Sequence, residues 1–145
     1  MQKVIIYTDG ACSGNPGAGG WAALLQFNEI QKTVSGYEKL TTNNRMELMA
    51  VINGLACLKY KCEVHLYSDS SYVVNAFLHG WLKEWQANNW RTKSKKDVSN
   101  RDLWEQLLSF SEIHNITFHK VKGHSDNKFN NLCDALARAE IKKII

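Results

Sequence analysis

No run of about 18 apolar residues occurs in this 145-residue chain, and no basic, apolar and small-residue leader precedes its first strand pattern. These absences speak against a helical membrane span and an export signal, and the expected location is the cytoplasm. Cysteine is sparse. Cys12, Cys57, Cys62 and Cys133 form no C-x-x-C pair and fall short of a disulfide framework, so they read as small core hydrophobes in a reducing compartment. Repeats, linkers and low-complexity tracts are also missing. What remains is one domain, residues 1–145, with 44% hydrophobic content and enough chain to build its own core.

The net charge of +4 is unevenly spread. The 23 residues from His79 to Arg101 hold six bases (Lys83, Arg91, Lys93, Lys95, Lys96, Arg101) against two acids, whereas the rest of the chain is balanced. The same stretch contains Trp81, Trp85 and Trp90, three of the five tryptophans. Basic charge interleaved with aromatics suits a polyanion with stackable faces, which means nucleic acid. The bland alternative is a solvated basic segment whose tryptophans pack on the domain.

Hydrophobic periodicity predicts strands over Lys3–Thr8, Trp21–Phe27 and Gln31–Tyr37, the last two joined by a tight turn at Asn28-Glu29. A loop from Gly10 to Gly19 separates the first two, and the three form an antiparallel meander. From Asn43 to Leu58 the period changes to 3.6, with Met46, Met49, Ile52 (or Val51), Leu55 and Leu58 on one face and Thr41 or Thr42 as N-cap. A strand Glu63–Ser68 follows, then a helix Ser71–Leu78 ended by Gly80 and an amphipathic segment Trp81–Asn88 with a left-handed stop at Asn88-Asn89. Ser99 and Asp102 have the spacing of a capping box for a helix through Phe110. A fifth strand spans Ile116–Val121. The last helix is expected from Ser125 or Asp126, with Phe129, Leu132, Cys133, Leu136 and Ala137 inward. This order implies a mixed α/β sheet, antiparallel then parallel, with helices on both faces.

Four acids carry the chemistry. Asp9 and Asp69 each end a predicted strand, Glu47 lies in the early turns of the first helix, and Asp134 lies beside the apolar stripe of the last. In open α/β sheets ligands collect outside the carboxyl ends of strands. Helix-dipole preference accounts for Glu47 alone. It leaves the other three unexplained, because ionised carboxylates beside apolar residues are costly unless paired or metal-bound. Mg²⁺ is the natural counter-ion, and no Cys/His cluster is present for zinc. His124, after Lys122-Gly123, reads as a loop residue able to shuttle protons near neutrality. The glycine-rich stretch from Gly14 to Gly20 has neither G-x-G-x-x-G nor G-K-[ST] spacing and leads into a strand, so it is no nucleotide fingerprint.

Tyr7-Thr8-Asp9-Gly10-Ala11-Cys12-Ser13-Gly14-Asn15-Pro16-Gly17, Thr41-Thr42-Asn43-Asn44-Arg45-Met46-Glu47-Leu48, Ser68-Asp69-Ser70 and Val121-Lys122-Gly123-His124 through Cys133-Asp134 resemble, in that order, the active-site blocks of bacterial type-1 ribonuclease H. The resemblance spans essentially the whole chain. It implies a ribonuclease H-like five-stranded mixed sheet and cutting of the RNA strand in RNA–DNA hybrids, leaving 5′-phosphate and 3′-hydroxyl ends. Two Mg²⁺ ions, with Mn²⁺ as a substitute, would be held with Asp9 bridging, Glu47 and Asp69 on one ion and Asp134 on the other. His124 matches a mobile histidine that assists water activation or product release.

By the same resemblance the RNA strand is sensed by the backbone near Cys12 and by Asn15, Asn43, Asn44 and Ser71. The DNA strand is held by Thr42 and Asn100 and by a basic handle from Trp81 to Lys96, here Trp81, Trp85, Trp90, Lys95 and Lys96. The expected partner is the hybrid duplex, with no membrane, no obligate protein partner and a monomeric state. The chain departs from the family at Gln86-Ala87-Asn88-Asn89, where basic residues are usual, and at Leu40, Asn131 and the segment Ser125 to Phe129. Two other classes compete: a non-catalytic binder of hybrid or double-stranded RNA on the same fold, and a DNA resolvase or integrase. Four retained acids argue against the first and the ribose-sensing asparagines against the second.

Overall fold

The computed structural model describes residues 1–122 and 127–144. Five strands form one sheet in the order β3-β2-β1-β4-β5: β1 (Gln2–Gly14), β2 (Gly17–Phe27), β3 (Ile30–Thr41), β4 (Cys62–Ser68) and β5 (Asn115–Lys120). The first three pair antiparallel, and β4 and β5 join β1 in parallel. The helices are α1 (Asn43–Ala56), α2 (Ser71–Leu78), α3 (Trp81–Ala87), α4 (Arg101–Ile113) and α5 (Lys128–Lys142). This is the mixed sheet expected from the order of elements.

Alternation along the strands divides the core in two. Val4 and Ile6, Ala23 and Leu25, Val64 and Leu66, and Phe118 turn to one face, where they meet Leu48, Val51, Leu55, Val73, Leu103, Trp104 and Leu107 from α1, α2 and α4. Ala22 and Leu24 turn to the other, where α5 covers them with Cys133 and Ala137. None of the described helices is long and apolar enough to cross a membrane.

Several expected boundaries move. The expected loop Gly10–Gly19 is instead mostly strand: β1 and β2 stay paired out to Gly14 opposite Gly17. Glycine and alanine there lack the bulk that marks a strand by pattern, but ladder hydrogen bonds need no side chain. β3 likewise runs on to Thr41. The capping box does not form. Asn100, in the left-handed region at φ 63°, is the N-cap of α4 with no side-chain cap bond, because Asp102 is drawn to Arg45 in a bidentate pair at 2.8 and 3.0 Å. The last helix starts at Lys128, where Asn127 Oδ1 accepts from the Phe129 and Asn130 amides. Leu132 faces outward rather than inward, at 38% exposure. The left-handed stop falls on Asn89 (φ 54°) and Trp90 (φ 60°).

Candidate active site

Asp9 sits where β1 passes between β2 and β4, and Asp69 follows the end of β4 on the adjacent strand. Parallel pairing of β1 with β4 puts Tyr7 beside Tyr67, whose rings stack at 4.9 Å, and carries the two acids out on the same face above them. Glu47 arrives from α1. Its approach depends on Gly10, where a Cβ would lie 2.5 Å from the Glu47 amide nitrogen and the Met46 carbonyl carbon, so only glycine lets the helix backbone rest on β1. Thr42 starts that helix at the right residue, its Oγ1 accepting from the Arg45 amide at 3.3 Å.

One carboxylate oxygen from each of Asp9, Glu47 and Asp69 lies within 4.8 Å of the others. Asp9 and Glu47 are 5% and 4% exposed. The Gly10 amide donates to Asp9 Oδ1 at 2.9 Å and also to Glu47 Oε1. One N–H cannot balance two buried carboxylates. Burial is the main reason that the Asp9 carboxyl is pushed up to about 7, with the charges of Asp69 and Asp134 adding to it and the hydrogen bond with Glu47 opposing. Burial and then the charge of Asp9 hold Glu47 well above the usual carboxylate range. Oxygen-only donors at this spacing, with more negative charge than the protein neutralises, fit a hard divalent cation. They do not suit a soft one.

Asp134 reaches the same cleft from α5 but stands apart from the trio, its Oδ2 2.8 Å from Arg138 one helical turn on. The cleft, about 370 Å³, is also lined by Gly10, Asn43, Asn44, Ser70, Ser71 and Tyr72. Asn43, Asn44 and Ser71 are therefore brought to the carboxylates. Asn15 is one bond away, its Oδ1 accepting from the Asn43 amide at 3.1 Å. The Cys12 thiol turns into the β1–β2 hairpin toward the Gly17 and Thr41 carbonyls. His124 lies outside the described residues.

The basic segment divides into two layers. Trp90 is buried and Trp81 and Trp85 half-buried, and all pack against the core, Trp85 edge-on to Trp104 at 5.5 Å. Lys95 and Lys96 are exposed in a turn closed by the Arg91–Asp97 bridge and by the Thr92 amide donating to the Lys96 carbonyl at 2.8 Å. Between the layers Trp81, Trp85, Arg91 and Lys93 line a shallow groove.

Sequence reasoning overlooked Arg45, Tyr72 and Ser70. Asn100 Oδ1 accepts from Arg45 Nη1 at 3.3 Å, and its amide nitrogen donates to the Tyr72 hydroxyl at 3.1 Å, which also accepts from Trp104 Nε1 at 3.0 Å. This network ties the starts of α1, α2 and α4 together beside the cleft. Its bonded partners lie 28 to 55 positions apart, so no local spacing betrays it. Ser70 and Tyr72 follow Asp69 closely, and their place at a strand exit was the available signal.

The family model for RNase H matches residues 1–142. Ribonuclease H of Prosthecochloris aestuarii is 62% identical over 141 residues, covering 97% of each chain, and that of Acetivibrio thermocellus is 60% identical over 143 residues, covering 99% of this chain and 97% of the relative. Among solved structures, LC9-RNase H1, a type 1 RNase H with the type 2 active-site motif, superposes with a TM-score of 0.88 at 26% identity, over 99% of this chain and 74% of the other. LC11-RNase H1 in complex with RNA/DNA hybrid shares the fold at a TM-score of 0.75 and 23% identity, over 97% of each chain. With the sheet order, the carboxylate cleft and these relatives in agreement, the chain belongs to the RNase H family.

Proposed function

We propose that this protein is an endoribonuclease that hydrolyses the RNA strand of RNA–DNA hybrids with two bound Mg²⁺ ions, Mn²⁺ serving as a substitute, and releases 5′-phosphate and 3′-hydroxyl ends. The observation that carries the reading is the convergence of Asp9, Glu47 and Asp69 within 4.8 Å in a cleft also lined by Asp134. When bound, the ions acidify a coordinated water and offset charge on the departing 3′ oxygen.

The protein's own part is to hold and orient. Asp9 would serve both ions, Glu47 and Asp69 one of them, and Asp134 the other from across the cleft. The buried pair Asp9 and Glu47 is fixed by the Gly10 amide, and fixed ligands cost no reorganisation during reaction. Asn43, Asn44 and Ser71 on the cleft wall, with Asn15 and the backbone at Cys12, offer hydrogen bonds to ribose hydroxyls, the groups that distinguish RNA from DNA. Thr42 and Asn100 stand at the starts of α1 and α4, with the exposed Lys95 and Lys96 beyond, where the DNA backbone would run. Trp81, Trp85 and Trp90 support that surface from beneath. His124 moves a proton to or from the reacting oxygens. The protein acts as a cytoplasmic monomer of one domain.

A non-catalytic binder would gain nothing from four carboxylates facing phosphates. The discriminating experiment incubates the protein with labelled RNA–DNA hybrid, double-stranded DNA and double-stranded RNA, each with Mg²⁺ or with EDTA. Cleavage of the hybrid RNA strand alone, and only with Mg²⁺, is expected. Binding without cleavage would select the binder, and DNA cleavage the resolvase class.

A further inference from the structure

A second close pair of metal-ligating side chains lies outside the cleft. His65 on β4 and His119 on β5 are 54 positions apart in the chain, yet His65 Nδ1 is 3.0 Å from His119 Nε2. In the parallel ladder His65 stands opposite Thr117 and His119 opposite Tyr67, which makes the two histidines diagonal neighbours on one face of the sheet. It is the face that α5 covers over β1, β2 and β3; at β4 and β5 both imidazoles remain half-buried and reachable.

Their surroundings orient the rings. His119 stacks on Tyr67 with centroids 4.6 Å apart and planes 15° apart, and Tyr67 stacks in turn on Tyr7. Glu63 Oε2 is 3.6 Å from Nε2 of His65. A carboxylate on that side favours the tautomer with the His65 proton on Nε2, which leaves Nδ1 as the acceptor toward His119. Burial, then the neighbouring His65, holds His119 below the usual imidazole range, and with His65 Nδ1 as acceptor the shared proton sits on His119 Nε2. With the ring centroids 5.2 Å apart, the imidazoles lie almost end to end and share one proton between two nitrogens.

A cation can take that position once the shared proton moves to Nδ1 of His119, so that each neutral ring turns one lone pair to the ion. Two imidazoles bound at about 2.0–2.1 Å with a near-tetrahedral angle hold their nitrogens roughly 3.3 Å apart, a few tenths of an ångström beyond the observed separation. Each ring must also turn by roughly 35° so that the two lone pairs meet at the ion rather than at each other. Imidazole suits Zn²⁺, Ni²⁺ and Cu²⁺ rather than Mg²⁺, and a carboxylate on the far nitrogen is the usual device that orients a ligating histidine. We propose that His65 and His119 form a second cation site on the open face of β4 and β5, taking a borderline divalent ion such as Zn²⁺ or Ni²⁺, with Glu63 orienting His65 and open positions filled by water.

The test uses the full chain with the carboxylate cleft saturated by Mg²⁺ and ZnCl₂ as the probe. Zn²⁺ well above its dissociation constant should raise the Tm by about 3 °C or more and should move the imidazole ¹⁵N resonances of His65 and His119 selectively. His65→Gln and His119→Ala should each abolish both effects while leaving hybrid cleavage in Mg²⁺ within twofold of wild type. Glu63→Gln keeps both imidazoles and guards against a folding defect in the histidine variants; roughly tenfold weaker Zn²⁺ binding is expected there. An absent effect in wild type, effects that persist in both histidine variants, or undiminished binding by Glu63→Gln would each overturn the site.

Discussion

At the residue scale the cleft is a problem in charge, and its solution can be measured. Asp9 is pushed up to about 7 in the folded protein against an ordinary aspartate value near 3.8, chiefly by burial. A carboxyl raised on folding binds more protons in the folded than in the unfolded state between those values. Without a divalent ion, stability should therefore fall as pH rises from about 4 to 7, by about 1.4 kcal/mol per pH unit for a single group. Denaturant titrations in EDTA across that range test the sign. Asp9→Asn should flatten the slope, leave hybrid binding intact and abolish cleavage. Turnover by this variant in Mg²⁺ would remove Asp9 from the centre of the mechanism. Gly10→Ala tests the geometry separately: its methyl meets backbone atoms of α1 at 2.5 Å, so helix or strand must shift and carry Glu47 away. A loss of about 1–3 kcal/mol in stability together with a large drop in kcat is expected. The four acids were legible because Asp9 and Asp69 end predicted strands, Glu47 lies early in a helix and Asp134 lies beside an apolar stripe. The pairing of Asp134 with Arg138 was equally available from i,i+4 spacing, and the burial of Glu47 was not, because it depends on a glycine 37 positions away.

At the scale of elements, hydrophobic period and end signals together located each of the described helices and strands, and period failed where structure does not need apolar side chains. The Gly-rich arm of the β1–β2 hairpin is strand by ladder pairing alone, and α4 begins without its expected box because a tertiary contact outcompetes a local one. The same region sets a test. Trp104 is fully buried, and its indole N–H has the Tyr72 hydroxyl as acceptor at 3.0 Å, which also serves Asn100. Tyr72→Phe leaves that buried donor unsatisfied and should cost about 1–3 kcal/mol. Because Asn100 loses a partner in the same step, hybrid affinity should weaken as well. Chemical denaturation and a binding isotherm on one sample separate the two effects. Stability unchanged by the variant would mean that the network is incidental to how α2 and α4 are joined.

At the scale of the whole molecule, the entire net charge sits on one segment, while the cleft it would serve carries four acids. A polyanion approaching such a surface is attracted by the former and repelled by the latter, so binding depends on how many phosphates the segment engages. Sequence suggested that the tryptophans and lysines act alike on DNA. The fold separates them: Trp85 and Trp90 belong to the packing around Trp104, and Lys95 and Lys96 stand in solvent on a closed turn. Replacing Lys95 and Lys96 with alanine should therefore leave the fold intact, weaken hybrid binding, and lower the slope of log affinity against log salt by about 1 for each phosphate no longer engaged. The kcat at saturating hybrid should hold, because the substitutions leave the carboxylates untouched. Lysine at Gln86 and Asn88, both exposed at the end of α3 where relatives are expected to be basic, should act in the opposite sense, with the largest gain at low salt where screening is weakest. Binding isotherms from about 50 to 200 mM salt measure both slopes. If neither pair of substitutions changes the slope, the segment is a solvated surface over a tryptophan core, and the DNA strand is held elsewhere.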